Sequence, residues 1–420
     1  MRNTDPVHTP WKRPAVSRRF RRRDGGPIWI LFALGLILSG QAGAGEQTLQ
    51  REDAIVAAQI DRVLPGVVGI LTEVGAEVTI RCGRHDTHVV NPEAVRENAT
   101  GFIIHPDGWI ATNGHVIKPV FKDDAEHVAA FLKAAAREAC GTVLKRLPVN
   151  RRKQRLAAIL EDPENRRRVK LFKKLEVYLP TGLPHGLPAV VKAYSPPIDP
   201  DRLPKDGTLP NPPMLDAAII KVDATNLPAV RLAPNSAQVL LGQKVVIAGY
   251  PGVVVWHNFL SKKSQAEPSV TFGRVSAFRL DVNERRILQT DAAISWGNSG
   301  GPAFDMAGEV FGVATFISTS LEGDQAVQGF NFLIPIDTIQ ALAKGIGLTP
   351  AAESPFMEVW NKAIDSIIEG RYREALGYVD DAIKIIPGLI DTERVQARLR
   401  ERLQARHETT SYNYTGAVAR

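Results

Sequence analysis

From residue 65 to about residue 313, short apolar runs alternate with Gly, Pro and Asn. They read GFIIHPDGWIATNGHVI, LEVYLP, PAVVKAY, LDAAIIKV, KVVIAGYPG, SVTFGRVSAF and GEVFGVATFI. Runs of this length, rich in β-branched residues and bounded by turn formers, predict strands. HPDGW places Pro and Gly where a type I or II turn needs them, so two strands are predicted to meet there. Many short strands with regular turns predict an all-β barrel or sandwich. Ahead of them, residues 47–63 carry a helical period.

Two stretches break this rhythm. Residues 118–174 are helical in period and hold sixteen Lys/Arg against seven Asp/Glu, a net of +9. Val128, Phe131, Leu132 and Ala135 fall on one helical face there. The segment predicts an inserted helical hairpin whose charged face is solvated, or one that meets an anionic membrane or an acidic partner. Residues 195–213 are Pro-rich and predict an extended loop. After Leu348 the pattern turns helical. In NKAIDSIIEGRYREALGYVDDAIKIIPG, Ala363, Ala375 and Ala382 let two helices approach, Gly370 makes the turn and Pro387 stops the second helix. This predicts a tetratricopeptide-like pair or a plain helical hairpin, then a third helix near residues 392–404. The polar end, residues 407–420, is predicted to be disordered. The expected domains are therefore 1–44, 45–348, 349–406 and 407–420.

Composition changes this picture at one end. The chain has 420 residues, 44% hydrophobic and 23% charged, which is ordinary for a globular protein of two or three domains. Of its net +7, residues 1–26 supply +6, from eight Lys/Arg and two Asp/Glu. Residues 27–44 carry no charge. The basic balance is thus a leader effect, and no nucleic-acid partner is expected. SRRFRRR followed by the apolar residues 28–38 and by AGA before Gly45 reads as a signal peptide, or as an uncleaved N-terminal anchor. Either predicts export, to the periplasm or to the outer face of the inner membrane. The two cysteines, Cys82 and Cys140, form a disulfide in an oxidising compartment or stay independent thiols. No Cys/His cluster has zinc spacing, and His85 with His88 reads as a solvated loop, so no metal and no cofactor are expected.

Three positions carry the candidate chemistry. Asp216 is a lone acid in the apolar run MLDAAIIKV. Burying an unpaired carboxylate costs on the order of several kcal/mol, so it needs a partner. Lys221 lies five residues on, an odd spacing that points it to the other face of a strand. An imidazole N–H from elsewhere would suit, and His115 closes WIATNGHVI in a turn rich in Asn and Gly. Ser299 sits in WGNSGGPAF, where flanking glycines permit a tight turn that collects backbone N–H groups, as an oxyanion site needs. Each signal is modest alone; the order His, Asp, Ser within an all-β chain is far more specific.

With these residues in view, the chain resembles the HtrA/Deg family of trypsin-fold serine proteases. ATGFIIHPDGWIATNGHVI resembles the family's histidine motif, LDAAIIKV its aspartate strand and LQTDAAISWGNSGGPAF its serine motif. IDRVLPGVVGI and GFNFLIPID resemble the first strand and the end of its protease domain, so the likeness covers residues 55–345. The resemblance implies a mainly β, chymotrypsin/trypsin-like double β-barrel, here with a basic helical insertion and a small C-terminal helical domain. His115 would be the general base, Asp216 its orienter and Ser299 the nucleophile. The turn Gly297, Asn298, Ser299 would form the oxyanion hole, the N–H groups of Gly297 and Ser299 being its donors. Ala293, Ile294, Trp296, Thr315 and Phe316 would line a specificity pocket without an acid, suited to small or medium apolar side chains. Polypeptide substrates and a homo-oligomer are implied. The sequence departs from the family in Ser295-Trp296 before the Gly-Asn-Ser, in the long insertions between His115 and Asp216, and in the lack of a PDZ domain. The helical tail is then the expected partner-binding module, and a peptide-binding scaffold that cuts little is the rival reading.

Overall fold

The structure, a computed structural model, describes residues 52–418 except 84, 182–184, 200–202, 205, 207, 212, 256 and 320–325; for 316–319, 326–328 and 406–418 it describes the backbone alone. The expected leader, residues 1–44, lies outside the described residues. From Ala54 onward the chain forms one compact unit. Among the described residues no helix is long and apolar enough to cross a membrane.

A helix through residue 63, α1, leads into the first barrel. Its strands are β1 (Val67–Gly83), β2 (Asp86–Val90), β3 (Val95–His105), β4 (Trp109–Thr112), β5 (Val169–Tyr178), β6 (Leu187–Ser195) and β7 (Ala217–Val222). They pair in the order β2-β1-β3-β4-β7-β6-β5, and β1 also pairs β5, so six strands close and β2 hangs on the outside. The second barrel closes as β10-β13-β12-β11-β8-β9. Its strands are β8 (Lys244–Gly249), β9 (Ser269–Leu280), β10 (Arg286–Thr290), β11 (Pro302–Phe304), β12 (Val310–Thr319) and β13 (Ala326–Pro335).

The apolar runs of β3, β4 and β7 are nearly continuous because both of their faces are buried. Successive strand residues point to opposite faces. Ile103, Ile110, Ala218, Ile220 and Val222 fill the first barrel. Phe102, Ile104, Ala111, Ala217 and Ile219 join the core of the second. These three strands form the seam between the barrels, and the candidate residues sit along it.

The basic insertion is not a simple hairpin, and its expected limits of 118–174 shift. Lys118 belongs to α2 (Gly114–Phe121), while residues 169–174 belong to β5. Between them run α3 (Asp124–Ala139), α4 (Gly141–Lys145), α5 (Val149–Glu161) and α6 (Pro163–Arg167). β1 and β5 extend beyond the barrel as a paired ribbon through Val78 and Val169. The helices pack on that ribbon: Phe131, Leu132, Ala135, Ala136 and Ile159 meet Val74, Val78 and Ile80. Val128, expected on the apolar face of α3, is only half-buried, whereas His127 is buried and bonds Pro119 O through Nε2 at 2.8 Å. Cys82 of β1 and Cys140 at the end of α3 form a disulfide with Cα atoms 5.3 Å apart. It closes a loop of sequence separation 58, which chain entropy values at roughly 4 kcal/mol.

Two one-turn helices, α7 (Gly252–Val255) and α8 (Lys262–Gln265), lie in the β8–β9 loop, and α9 (Ile336–Gly345) follows the second barrel. The tail is α10 (Pro355–Ile368), α11 (Tyr372–Ile385) and α12 (Ile390–Val418). Ser354 caps α10 by accepting Met357 N–H at 3.1 Å. Gly370, with φ of 79°, turns the chain into α11, and Arg371 N–H closes the turn on Ser366 O at 2.8 Å. Trp360, Ala363, Ala375, Ala382 and Leu399 form one core with Ala58 of α1. The end expected to be disordered is helical along its backbone to Val418, because no Pro or Gly interrupts residues 390–415.

Candidate active site

His115, Asp216 and Ser299 come from three different connections at the seam. His115 lies in the first turn of α2, just after β4. Asp216 lies one residue before β7 rather than inside it, in the left-handed region at φ of 49°. A non-glycine residue there is strained, and the surroundings must hold it. Asp216 N–H donates to Pro196 O at 3.0 Å and its carbonyl accepts Asn113 Nδ2 at 3.1 Å.

That backbone aims a carboxylate with 5% residue exposure at three donors. His115 N–H reaches Oδ1 at 2.7 Å, so the acid also caps the N-terminus of α2. The His115 ring donates through Nδ1 to Oδ2 at 2.9 Å. The Thr315 hydroxyl donates to Oδ2 at 2.6 Å. With Nδ1 carrying the proton, Nε2 is the free basic nitrogen. Burial pushes the imidazole pKa down, but the Asp216 charge and hydrogen bond, aided by the Glu97 carboxylate, outweigh it; Lys118 opposes, and the net shift is upward.

Ser299 precedes β11 in a turn whose carbonyls are all occupied. Gly252 N–H donates to Trp296 O at 2.8 Å, Gly301 N–H to Asn298 O at 2.9 Å and Thr100 N–H to Ser299 O at 2.9 Å. The Thr100 hydroxyl donates to Gly297 O at 2.7 Å. Asn298 N–H returns to Ser295 O at 3.0 Å and Gly300 N–H bonds Ala314 O at 2.8 Å. Gly297 N–H and Ser299 N–H have no acceptor among the described residues. Buried N–H groups are normally paired, so two free donors in one turn beside a serine fit a site awaiting an oxyanion. Gly297 has φ of 101°, and a Cβ there would lie 2.4 Å from Tyr250 O. Gly300 has φ of 84°, and a Cβ would lie 2.1 Å from Thr100 O. Neither position admits another residue. Ser299 Oγ itself donates to Thr315 O at 3.0 Å rather than to His115.

The expected pocket residues scatter. Trp296 is 69% exposed at the rim and Ala293 is also exposed. Ile294 does not line a pocket: in the loop after β10 it is buried in the second barrel's core. Thr315 is no pocket wall either, since its hydroxyl is committed to Asp216 and its carbonyl to Ser299. The Phe316 side chain lies outside the described residues. His88 bonds Asp86 at 2.6 Å on the first barrel's outer strand, which carries none of His115, Asp216 and Ser299. Nothing in the sequence pattern singles out Thr100, Gly252 or Glu97. Threonine is an ordinary β-strand residue and Glu97 lies in the polar start of β3, so no local signal marks their long-range partners.

Two closed barrels with this seam define the class. Residues 99–313, just over half of the chain, match the family model of the trypsin-like peptidase domain, and the chain belongs to that family. Over 128 residues it is 41% identical to a DegP-like periplasmic serine endoprotease of Pseudomonas putida (strain F1), covering 30% of this chain and 24% of that protein. Over 153 residues it is 33% identical to serine protease HhoB of Synechocystis sp. (PCC 6803), covering 35% and 32%. The chain thus spans about a quarter to a third of the length of these relatives. A solved HtrA-type protease, AlgW with a decapeptide, aligns over 75% of this chain and 67% of its own at 20% identity, with a TM-score of 0.38.

Proposed function

We propose that this chain is an exported serine endopeptidase that cuts unfolded, damaged or specific partner proteins through His115, Asp216 and Ser299. The observation that carries the reading is the pair of N–H groups, of Gly297 and Ser299, that have no acceptor among the described residues, beside a serine whose neighbouring histidine is held by a buried carboxylate. In the reaction, Ser299 Oγ leaves Thr315 O, turns to His115 Nε2 and gives it a proton. The oxygen attacks the scissile carbonyl carbon, and the electron pair moves to the carbonyl oxygen, which the two N–H groups bind. Collapse expels the amine, which takes the proton from Nε2 and leaves an acyl-enzyme. Water repeats the cycle and frees Ser299. Asp216 holds the ring and stabilises the imidazolium throughout. With no acid at Ala293 or Trp296, small or medium apolar side chains suit the cleaved position. Export, and a periplasmic site, fit the leader and the naming of a relative as periplasmic. The tail is read as the module that recruits partners, and the basic insertion as a contact for anionic membrane.

The bond from Ser299 Oγ to Thr315 O favours one second reading, a scaffold that binds peptides and cuts little at rest. The test is cleavage of unfolded casein and labelling by a fluorophosphonate probe, for the chain and for Ser299→Ala. Labelling and cleavage in the first and neither in the second are expected. Labelling without casein cleavage would point to a narrow substrate. If neither occurs in the unaltered chain, the enzyme reading fails and the scaffold stands.

A further inference from the structure

Four consecutive carbonyls, from Trp296 to Ser299, are tied down around the two free donors. Three of the ties come from backbone N–H groups, of Gly252, Gly301 and Thr100. The fourth is the Thr100 hydroxyl on Gly297 O at 2.7 Å. It is the one tie a side chain makes. Thr100 is fully buried in β3 of the first barrel, whereas the turn it grips belongs to the second. Its hydroxyl oxygen also accepts Tyr250 N–H at 2.9 Å, and its carbonyl accepts the Thr112 hydroxyl at 2.8 Å. The hydroxyl's proton is therefore directed at Gly297 O, because the oxygen is already taken by Tyr250.

A peptide plane carries one residue's carbonyl and the next residue's N–H. The donor planes, ending in Gly297 N–H and Ser299 N–H, flank the plane that Thr100 fixes through Gly297 O. Glycine restricts rotation less than any other residue, so this plane depends on its two ties: Asn298 N–H on Ser295 O at 3.0 Å, a bond within the turn itself, and the Thr100 hydroxyl, which anchors it to the other barrel. If it turns, both donors swing with it.

We propose that Thr100 is a positioning residue, whose hydroxyl reaches across the barrel seam to hold the Gly297–Asn298 peptide so that both oxyanion donors stay aimed beside Ser299. The inference rests on the proposed serine endopeptidase function. A donor placed for the transition state acts on kcat more than on KM. Thr100→Val keeps the shape but removes the hydroxyl; Thr100→Ser keeps it.

The test uses the full chain, a peptide substrate cut in the casein assay, and a peptide boronate that forms a tetrahedral adduct on Ser299. Thr100→Val is expected to lose 10- to 100-fold in kcat with KM within about twofold, and to bind the boronate correspondingly more weakly. Thr100→Ser is expected to recover most of both. Should Thr100→Val fail to fold, Thr100→Cys, a weaker donor of similar size, is expected to show the same split at smaller amplitude. A kcat within twofold of the unaltered chain, a loss shared equally by KM, or a Thr100→Ser as poor as Thr100→Val would overturn the proposal. The unaltered chain and Ser299→Ala are run alongside. An unlabelled wild-type chain condemns the enzyme reading, whereas a labelled one with an indifferent Thr100→Val condemns this inference alone.

Discussion

Asp216 takes three donors on its carboxylate and two backbone bonds, and in return fixes both the entry to α2 and the His115 tautomer. Asp216→Asn keeps the volume but offers an N–H where Nδ1–H needs an acceptor, so the ring is expected to reverse its tautomer. A loss of about 10³–10⁴ in kcat on casein-derived peptides is the expected outcome. The same contact sets the pH response. His115 is raised above its ordinary 6.5 by Asp216 against the cost of burial, and the base must be neutral. Probe labelling is therefore expected to rise with pH, with a midpoint above 6.5; a midpoint at or below it would refute the assignment of His115 as base. The stability contribution runs the other way. It is complete below the unfolded pKa near 6.5 and fades as pH climbs through the higher folded value. At this scale the sequence was informative where a residue broke its own pattern, as one acid in an apolar run did. Thr315 and Thr100 broke no pattern, because threonine is at home in strands, and only the fold reveals whom their hydroxyls meet.

Among the elements, the basic insertion shows where periodicity suffices and where it does not. The spacing of Val128, Phe131, Leu132 and Ala135 predicts a helix and its buried face; α3 buries the last three, while Val128 is half-buried. The spacing does not predict that the face rests on an overlong β1–β5 ribbon, since the apolar partners lie in other segments. The ribbon and the disulfide make the insertion a braced arm. From residue 139 to residue 160 it carries no acid, while Lys145, Arg146, Arg151, Arg152, Lys153 and Arg155 are all exposed. Val149, 72% exposed, sits between the two basic clusters. Like charges so placed repel one another unless an anionic surface neutralises them. The full chain is expected to co-sediment more with vesicles containing phosphatidylglycerol than with phosphatidylcholine alone. The increment is expected to vanish in Arg151→Glu/Arg152→Glu/Lys153→Glu, with probe labelling unchanged. Equal retention by both vesicle types would leave the arm a solvated face.

For the whole molecule, the barrels were legible because the His, Asp and Ser motifs mark them, but the seat of the tail was not. Its contacts join residues from 130 to 337 positions apart, and charge alone does not pair them. Trp360 Nε1 donates to Asp61 O at 3.0 Å, and Asp61 receives both Arg394, at 3.0 Å, and Arg398. Ile390 N–H donates to Pro180 O at 2.8 Å, and Lys263 of the β8–β9 loop pairs with Glu393 at 2.9 Å. Asp391, fully buried, meets Arg394 at 2.7 Å but has Asp61 and Glu267 as neighbouring acids. Burial, chiefly, with those two charges lifts its pKa from 3.8 to about 6, against the pull of Arg394. A folded pKa above the unfolded one means that the stabilisation is present below 3.8 and lost as pH rises through about 6. At neutral pH the ionised Asp391 thus strains the junction between tail and barrels, by on the order of 3 kcal/mol for a shift of this size. Asp391→Asn imitates the protonated acid. It is expected to raise the melting temperature at pH 7.5 and to converge with the unaltered chain near pH 4. A variant less stable at both pH values would show that the Arg394 ion pair, not burial, governs Asp391, and that the tail is latched most firmly when this acid is charged.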